Sequence, residues 1–156
     1  MDCLEFLGLV VPGFVSCVEF GFFLFMRPSV RGLPERDRIE VEQRFLRTFN
    51  RVMPILTGLS VLLILIYALR FKENNAANRA VWGALFCFSA ATASSIWLNR
   101  SIDLEITNWD TERLPANWKS VWSRRAIAQG LRASLQLLGF ILLCGSVAAR
   151  ITADTR

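Results

Sequence analysis

Charged residues are nearly absent from four long stretches of this chain and crowded between them. The stretches are residues 4–26, 53–71, 80–98 and 131–149. A helix rising 1.5 Å per residue needs about 20 apolar residues to cross a hydrocarbon core of about 30 Å. Each stretch is near that length. Strands of a membrane barrel alternate polar and apolar residues; segments such as LSVLLILIYAL do not. The pattern predicts an all-α protein, a transmembrane four-helix bundle forming one integral membrane domain over residues 1–156. Four such helices buried in a soluble fold would leave it almost no solvated face.

The third stretch is rich in small residues (Gly83, Ser89, Ala90, Ala91, Ala93, Ser94 and Ser95), and the fourth holds Gly139 and Gly145. Small residues let helix backbones approach closely in lipid. Glu5 and Glu19 interrupt the first stretch, and Pro12 is expected to bend it. That stretch has no basic residue before it and is too long for the apolar core of a signal peptide, so a retained span is expected. Between the first two stretches, Ile39, Phe45, Leu46, Phe49 and Val52 recur at helical spacing, with Glu42 an interruption. This predicts an amphipathic helix in the first long loop, lying at the interface or continuing into the second span. Pro34 is well placed near its start. Asn117 is placed to cap a helix beginning at Trp118. Trp118 and Trp122 are four apart and share a face; with Trp109 they read as membrane-interface anchors. The segment WKSVWSRR also suits phospholipid phosphates through Arg124 or Arg125.

Composition refines this picture. The net charge is +5, from 18 Lys+Arg against 13 Asp+Glu. The bases flank the apolar stretches and match no nucleic-acid motif, so membrane lipids, not nucleic acid, are the expected partners. Thirteen of the bases lie on the side of the two longer loops and five on the other. The positive-inside rule then puts the long loops in the cytoplasm and both termini outside, with a bacterial inner membrane the expected location. The four cysteines form no CxxC pair and read as small hydrophobes.

Histidine is absent. No histidine-ligated haem or metal is therefore expected, and the commonest general base is missing. The cofactor is otherwise open. Buried chemistry falls to a few polar residues. Glu19 lies about seven residues inside the first span, roughly 10 Å deep by helical rise. A charge there costs about 2.5 kcal/mol or more unless paired, wetted or protonated. Arg132 enters the fourth span from the same face and can bind a carboxylate through two donors. A Glu19–Arg132 pair is expected to join the first and fourth spans. Arg27, Asn50, Asn99 and Gln129 lie at similar depth, and with that pair they suggest one polar pocket, or a structural polar cluster, at the bundle mouth. The opposite half is expected to be nearly dry apart from Glu5.

Three segments carry a family resemblance: GFFLFMRPSVRGL after the first span, VEQRFLRTFNRVMP before the second, and WLNRSIDLEITNW followed by WKSVWSRRAIAQGLRASL. Over about residues 20–145 the chain resembles the anthrone-oxygenase-like family of small four-helix membrane proteins. The resemblance implies the same fold, with Asn50, Asn99, Trp109, Trp122 and Arg132 at the family's marked positions. It also implies oxygenation of anthrone-type polyphenols without a known cofactor. The chain departs from the family where Gln129 and Arg27 stand in place of histidines. Proton abstraction would then fall to Glu19, with Arg132 stabilising the anion and Asn50 and Asn99 orienting the ligand. Since both histidines are missing, the leading expectation is a non-catalytic subunit that packs against and stabilises a larger membrane complex of other subunits. A cofactor-light oxygenase or quinone-type redox enzyme is the alternative, and a small transporter the next.

Overall fold

The computed structural model describes residues 3–70, 76–110 and 113–154. Helix α1 (Cys3–Gly21) passes through a π-helical turn (Phe22–Met26) into α2 (Arg27–Val30) without a break. After a tight turn α3 runs from Glu35 to Arg70. Helix α4 (Ala76–Ser94) likewise continues through a second π-helical turn (Ser95–Asn99) into α5 (Arg100–Thr107). The last helix, α6, spans Trp118–Asp154. Four of these helical rods are long and apolar enough to cross a membrane, and they pack as a bundle.

The core of the bundle is Ile64, Tyr67, Ala68, Val81, Ala84, Phe88 and Leu143, contributed by α3, α4 and α6. The α4–α6 contact is the most extensive. Gly139 makes it possible: a Cβ there would stand 2.8 Å from the Phe88 ring. Gly13 plays the same part between α1 and α6, where a Cβ would lie 2.8 Å from Phe140. Small residues thus set helix separation, as lipid-embedded packing requires. Large apolar side chains such as Ile55, Phe86 and Ile141 point outward, which implies contact with lipid.

The helix expected in the first long loop is not a separate interfacial element. It is the first half of α3, continuous with the span. The reason is register: Ile39, Leu46, Phe49 and Met53 are all buried along one face, so nothing favours a break. The short amphipathic helix is instead α5, which buries Ile102 and Ile106 and exposes Leu104. Helix α6 also begins well before its apolar stretch, at Trp118 as Asn117 suggested.

These extensions pack into a small foot below the bundle. Leu46, Ile102, Ile106 and Val121 form its core, with Trp109 packed against them. Gln43 Nε2 donates to the carbonyls of Ile106 (2.9 Å) and Trp109 (3.0 Å), tying α3 to the end of α5 and the turn that follows it. The Arg38 guanidinium lies over the rings of both Trp118 (5.0 Å) and Trp122 (4.9 Å). The three tryptophans read as interface anchors are thus packed into the foot, with Trp118 buried and the other two half-buried.

Candidate functional site

Where bundle meets foot, a pocket of about 480 Å³ opens between α1, α3, the α4–α5 rod and α6. Its polar lining includes Glu19, Asn50, Ser95, Arg100, Asp103 and Arg132. Phe49, Met53, Pro54, Ile96 and Leu104 give it apolar walls. The size and the mixture suit a small-molecule site, where such pockets run to about 300–1,000 Å³.

Arg132 organises the site. Its Nη2 donates to Glu19 Oε2 at 2.7 Å and its Nη1 to Ser95 Oγ at 2.8 Å. One guanidinium therefore ties α6 to α1 and to the start of the second π-helical turn. The Glu19 side chain is 1% exposed and that of Arg132 12%, so the pair is almost wholly withdrawn from solvent. The ring of Phe49 lies 5.8 Å from the Arg132 guanidinium and packs at a tilt against Phe45 and Phe22, which stack on each other.

Both π-helical turns lie beside this stretch of α6. Phe23, in the first, abuts Gly130, while Ser95, opening the second, receives Arg132. In each, the closing bond spans five residues, from Arg27 N–H to the Phe22 carbonyl and from Arg100 N–H to the Ser95 carbonyl. The extra residue per turn re-aims the side chains that follow. Such turns recur at functional sites.

Behind the pocket is a second ionic group. Arg125 Nε donates to Asp103 Oδ1 at 2.8 Å, and Arg125 Nη1 pairs with Glu42 Oε1. All three residues are buried. The Asn50 side chain also hydrogen-bonds Asp103. Burial pushes the Asp103 carboxyl up to about 6; Arg132 and the Asn50 bond pull against that rise, and Glu19 adds to it. A pocket carboxyl in that range can take up or release a proton near neutral pH.

Of the residues singled out from sequence, Glu19, Asn50 and Arg132 line the pocket. Arg27 and Gln129 do not. Arg27 is buried and donates through Nη2 to the Trp122 carbonyl at 3.3 Å. Gln129 is fully buried on α6, and its amide has no hydrogen-bond partner among the described residues. The side chain of Asn99 lies outside the described residues. Arg125, read as a phosphate ligand, is instead the buried centre of the second ionic group, while Arg124 is exposed.

Sequence reasoning missed Asp103, Glu42 and Arg100 as site residues and gave Arg125 a different role. Glu42 carried a usable signal: a carboxylate on the otherwise apolar face of Ile39, Leu46 and Phe49 must be buried and must find a cation. The far half of the bundle is also less dry than expected. Arg150 Nη1 donates to Glu5 Oε1 (2.9 Å) and to the Tyr67 hydroxyl (2.8 Å). Midway, Ser16 Oγ donates to the Gln136 carbonyl at 3.0 Å. The fully buried Gln136 amide, like that of Gln129, has no partner among the described residues. Comparison with protein-family profiles, characterised proteins and solved structures finds no match for the chain.

Proposed function

We propose that this chain is a membrane enzyme of the anthrone-oxygenase-like kind, binding a planar aromatic substrate in the mouth pocket and promoting its oxygenation without a metal-binding histidine. The observation that carries this reading is the pairing, in one apolar-walled pocket, of a carboxyl raised to about 6 with two arginines, Arg100 and Arg132. In an anthrone the methylene beside the ring system is acidic because its anion is delocalised into the carbonyl. Asp103 takes that proton, in place of the Glu19 that sequence suggested, because its carboxyl, though paired with Arg125, is raised to about 6 and lies outside the membrane-spanning segments. Arg132 and Arg100 stabilise the resulting enolate, preorganised charge being the largest common source of rate enhancement. Phe49 offers the ring a stacking face. Dioxygen is the oxidant: the methylene carbon becomes the second quinone carbonyl, one oxygen atom is incorporated and the other leaves as water.

The resemblance in the segments around Asn50, Asn99 and Arg132 supports the same reading. The count of bases supports the pocket and foot lying on the cytoplasmic side of a bacterial inner membrane. The test is quinone formation from 1,8-dihydroxyanthrone by the protein in lipid nanodiscs. A rate well above the spontaneous one is expected, lowered about 100-fold or more by Asp103→Asn with substrate binding retained. A rate no faster than empty nanodiscs refutes the enzyme.

A second reading, a non-catalytic subunit of a larger membrane complex, draws on one observation. Every carboxylate at the mouth is held by an arginine: Glu19 by Arg132, and Glu42 and Asp103 by Arg125. Such saturation suits a structural role. Purification in mild detergent with a stoichiometric large partner supports it; a monomer or homodimer that oxidises the anthrone does not.

A further inference from the structure

The exposed residues of the pocket fall in two facing rows. On α3 they are Asn50 and Pro54; on the α4–α5 rod they are Ile96, Arg100 and Leu104. Each row has the four-residue spacing of one helix face. Everything behind them that lines the pocket from α1, α3 and α6 is buried or half-buried, including Glu19, Met53 and Thr57. The rows therefore form the two jambs of an opening in the side of the bundle, between α3 and the α4–α5 rod. Its position along the helices is informative. Pro54 and Ile96 belong to apolar stretches, whereas Arg100 lies two residues past the end of its span at Leu98 and Arg51 stands one turn from Ile55, itself 70% exposed. In a membrane matched to those spans, the opening would straddle the boundary between acyl chains and headgroups, with its apolar end in the hydrocarbon.

We propose that the pocket is loaded sideways from the bilayer through this portal, so that its ligand is a membrane-dissolved amphiphile: a flat apolar body that slides between Pro54 and Ile96, with one anionic or strongly hydrogen-bonding edge that meets Arg100 at the rim and Arg132 inside. A purely water-soluble anion would gain nothing from an apolar jamb. A plain hydrocarbon would leave the Arg132 Nε, buried and without a hydrogen-bond partner among the described residues, unsatisfied. The identity of the occupant rests on the ligand-pocket reading above; the route does not.

The test is built to separate the two. In a background with all four cysteines replaced by serine, Thr57→Cys puts a thiol on the pocket's inner wall. Protein in liposomes is treated with N-pyrenylmaleimide, which partitions into lipid, or with a sulfonated, water-confined maleimide. The lipophilic reagent is expected to label Thr57→Cys at least about tenfold faster, because the charged one must shed its hydration to pass an apolar rim. Adding Ile96→Trp and Leu104→Trp, which narrow the portal from one jamb, is expected to slow lipophilic labelling by a similar factor. A lipid-facing Ala93→Cys, labelled equally with and without the two tryptophans, shows the fold and the partitioning unchanged. Labelling by the sulfonated reagent as fast as by the lipophilic one overturns the route, and so does lipophilic labelling that the tryptophans leave unaltered. Neither result depends on whether an anthrone is oxidised. Failure of oxidation with portal-gated labelling intact would remove the enzyme and keep the route.

Discussion

The Glu19–Arg132 pair sets up a comparison within one molecule. Its nitrogen–oxygen distance is 2.7 Å, and so is that of Glu40 and Arg44 on the outer face of α3. Geometry is equal; burial is not. Glu40 and Arg44 side chains are 46% and 77% exposed, so water and salt screen them and the pair contributes about 0.3–0.5 kcal/mol. Removing one partner of the buried pair leaves a charge with little water and only more distant counter-charges, which costs about 3–5 kcal/mol. Glu19→Gln strands a guanidinium that cannot lose its proton; Arg132→Met strands the carboxylate and also removes the donor to Ser95. Replacing both should return stability to within about 2 kcal/mol of the parent, because a well-packed neutral pair is often no worse than an ionic one. A double-mutant cycle should then give a coupling energy of about 4 kcal/mol for Glu19–Arg132 and under about 0.5 kcal/mol for Glu40–Arg44. The assay is reversible unfolding in mixed detergent micelles, followed by tryptophan fluorescence. Additive single losses at Glu19 and Arg132, with coupling below about 1 kcal/mol, would show that burial does not govern this pair and refute the reasoning.

Four further outcomes follow from the packing and the charges. The folded-state pKa of Asp103, about 6, lies above its ordinary value of 3.8, so between those limits the folded protein holds more protons than the unfolded one. Its contribution to stability is therefore largest below pH 4 and is lost as pH rises through 6; in a thermal-melt series Asp103→Asn should flatten that part of the profile. Gly139→Ala should destabilise by about 1–3 kcal/mol, since its Cβ meets the fully buried Phe88 ring. Gly58→Ala, with nothing within 4 Å of the new Cβ, should stabilise by about 0.5–1 kcal/mol, as chemical denaturation would register. Gln136→Met replaces a buried amide that has no partner among the described residues with an apolar group of similar length, and should leave the melting temperature unchanged or higher. A fall of several degrees would mean that the amide is held by an ordered water or a ligand.

Hydropathy located the four spans because hydrocarbon offers no partner to peptide groups, so long uncharged stretches must coil. It could not locate the helix ends. The charged lower halves of α3 and α6 are good helix formers with one apolar face, and nothing in their composition stops the coil at the membrane boundary. Glu19 was legible as a site residue because a carboxylate amid apolar neighbours must find a cation, and Arg132 was the base at matching depth. Asp103 was not legible in that way. It sits in a short loop helix among other charges, and only the folding of α5 against α6 removes it from water. The same holds for Arg125, one of two adjacent arginines whose different fates depend on which face of α6 each occupies. The Glu5–Arg150–Tyr67 group escaped notice because Arg150 reads as an ordinary flanking base and Tyr67 as one more apolar position.

Helices α3 and α6 have 36 and 37 residues, so each is a shaft of about 55 Å, nearly twice the thickness of the hydrocarbon core. Foot and bundle are thus two ends of the same pair of continuous helices, with Pro54 inside α3 near their junction. A membrane that thins must tip those helices to keep their apolar lengths covered. The foot would swing with them, and Asn50 and Arg132, carried on the helices themselves, would shift relative to the α4–α5 rod. On that geometry, a change in bilayer thickness is expected to reach the shape of the mouth.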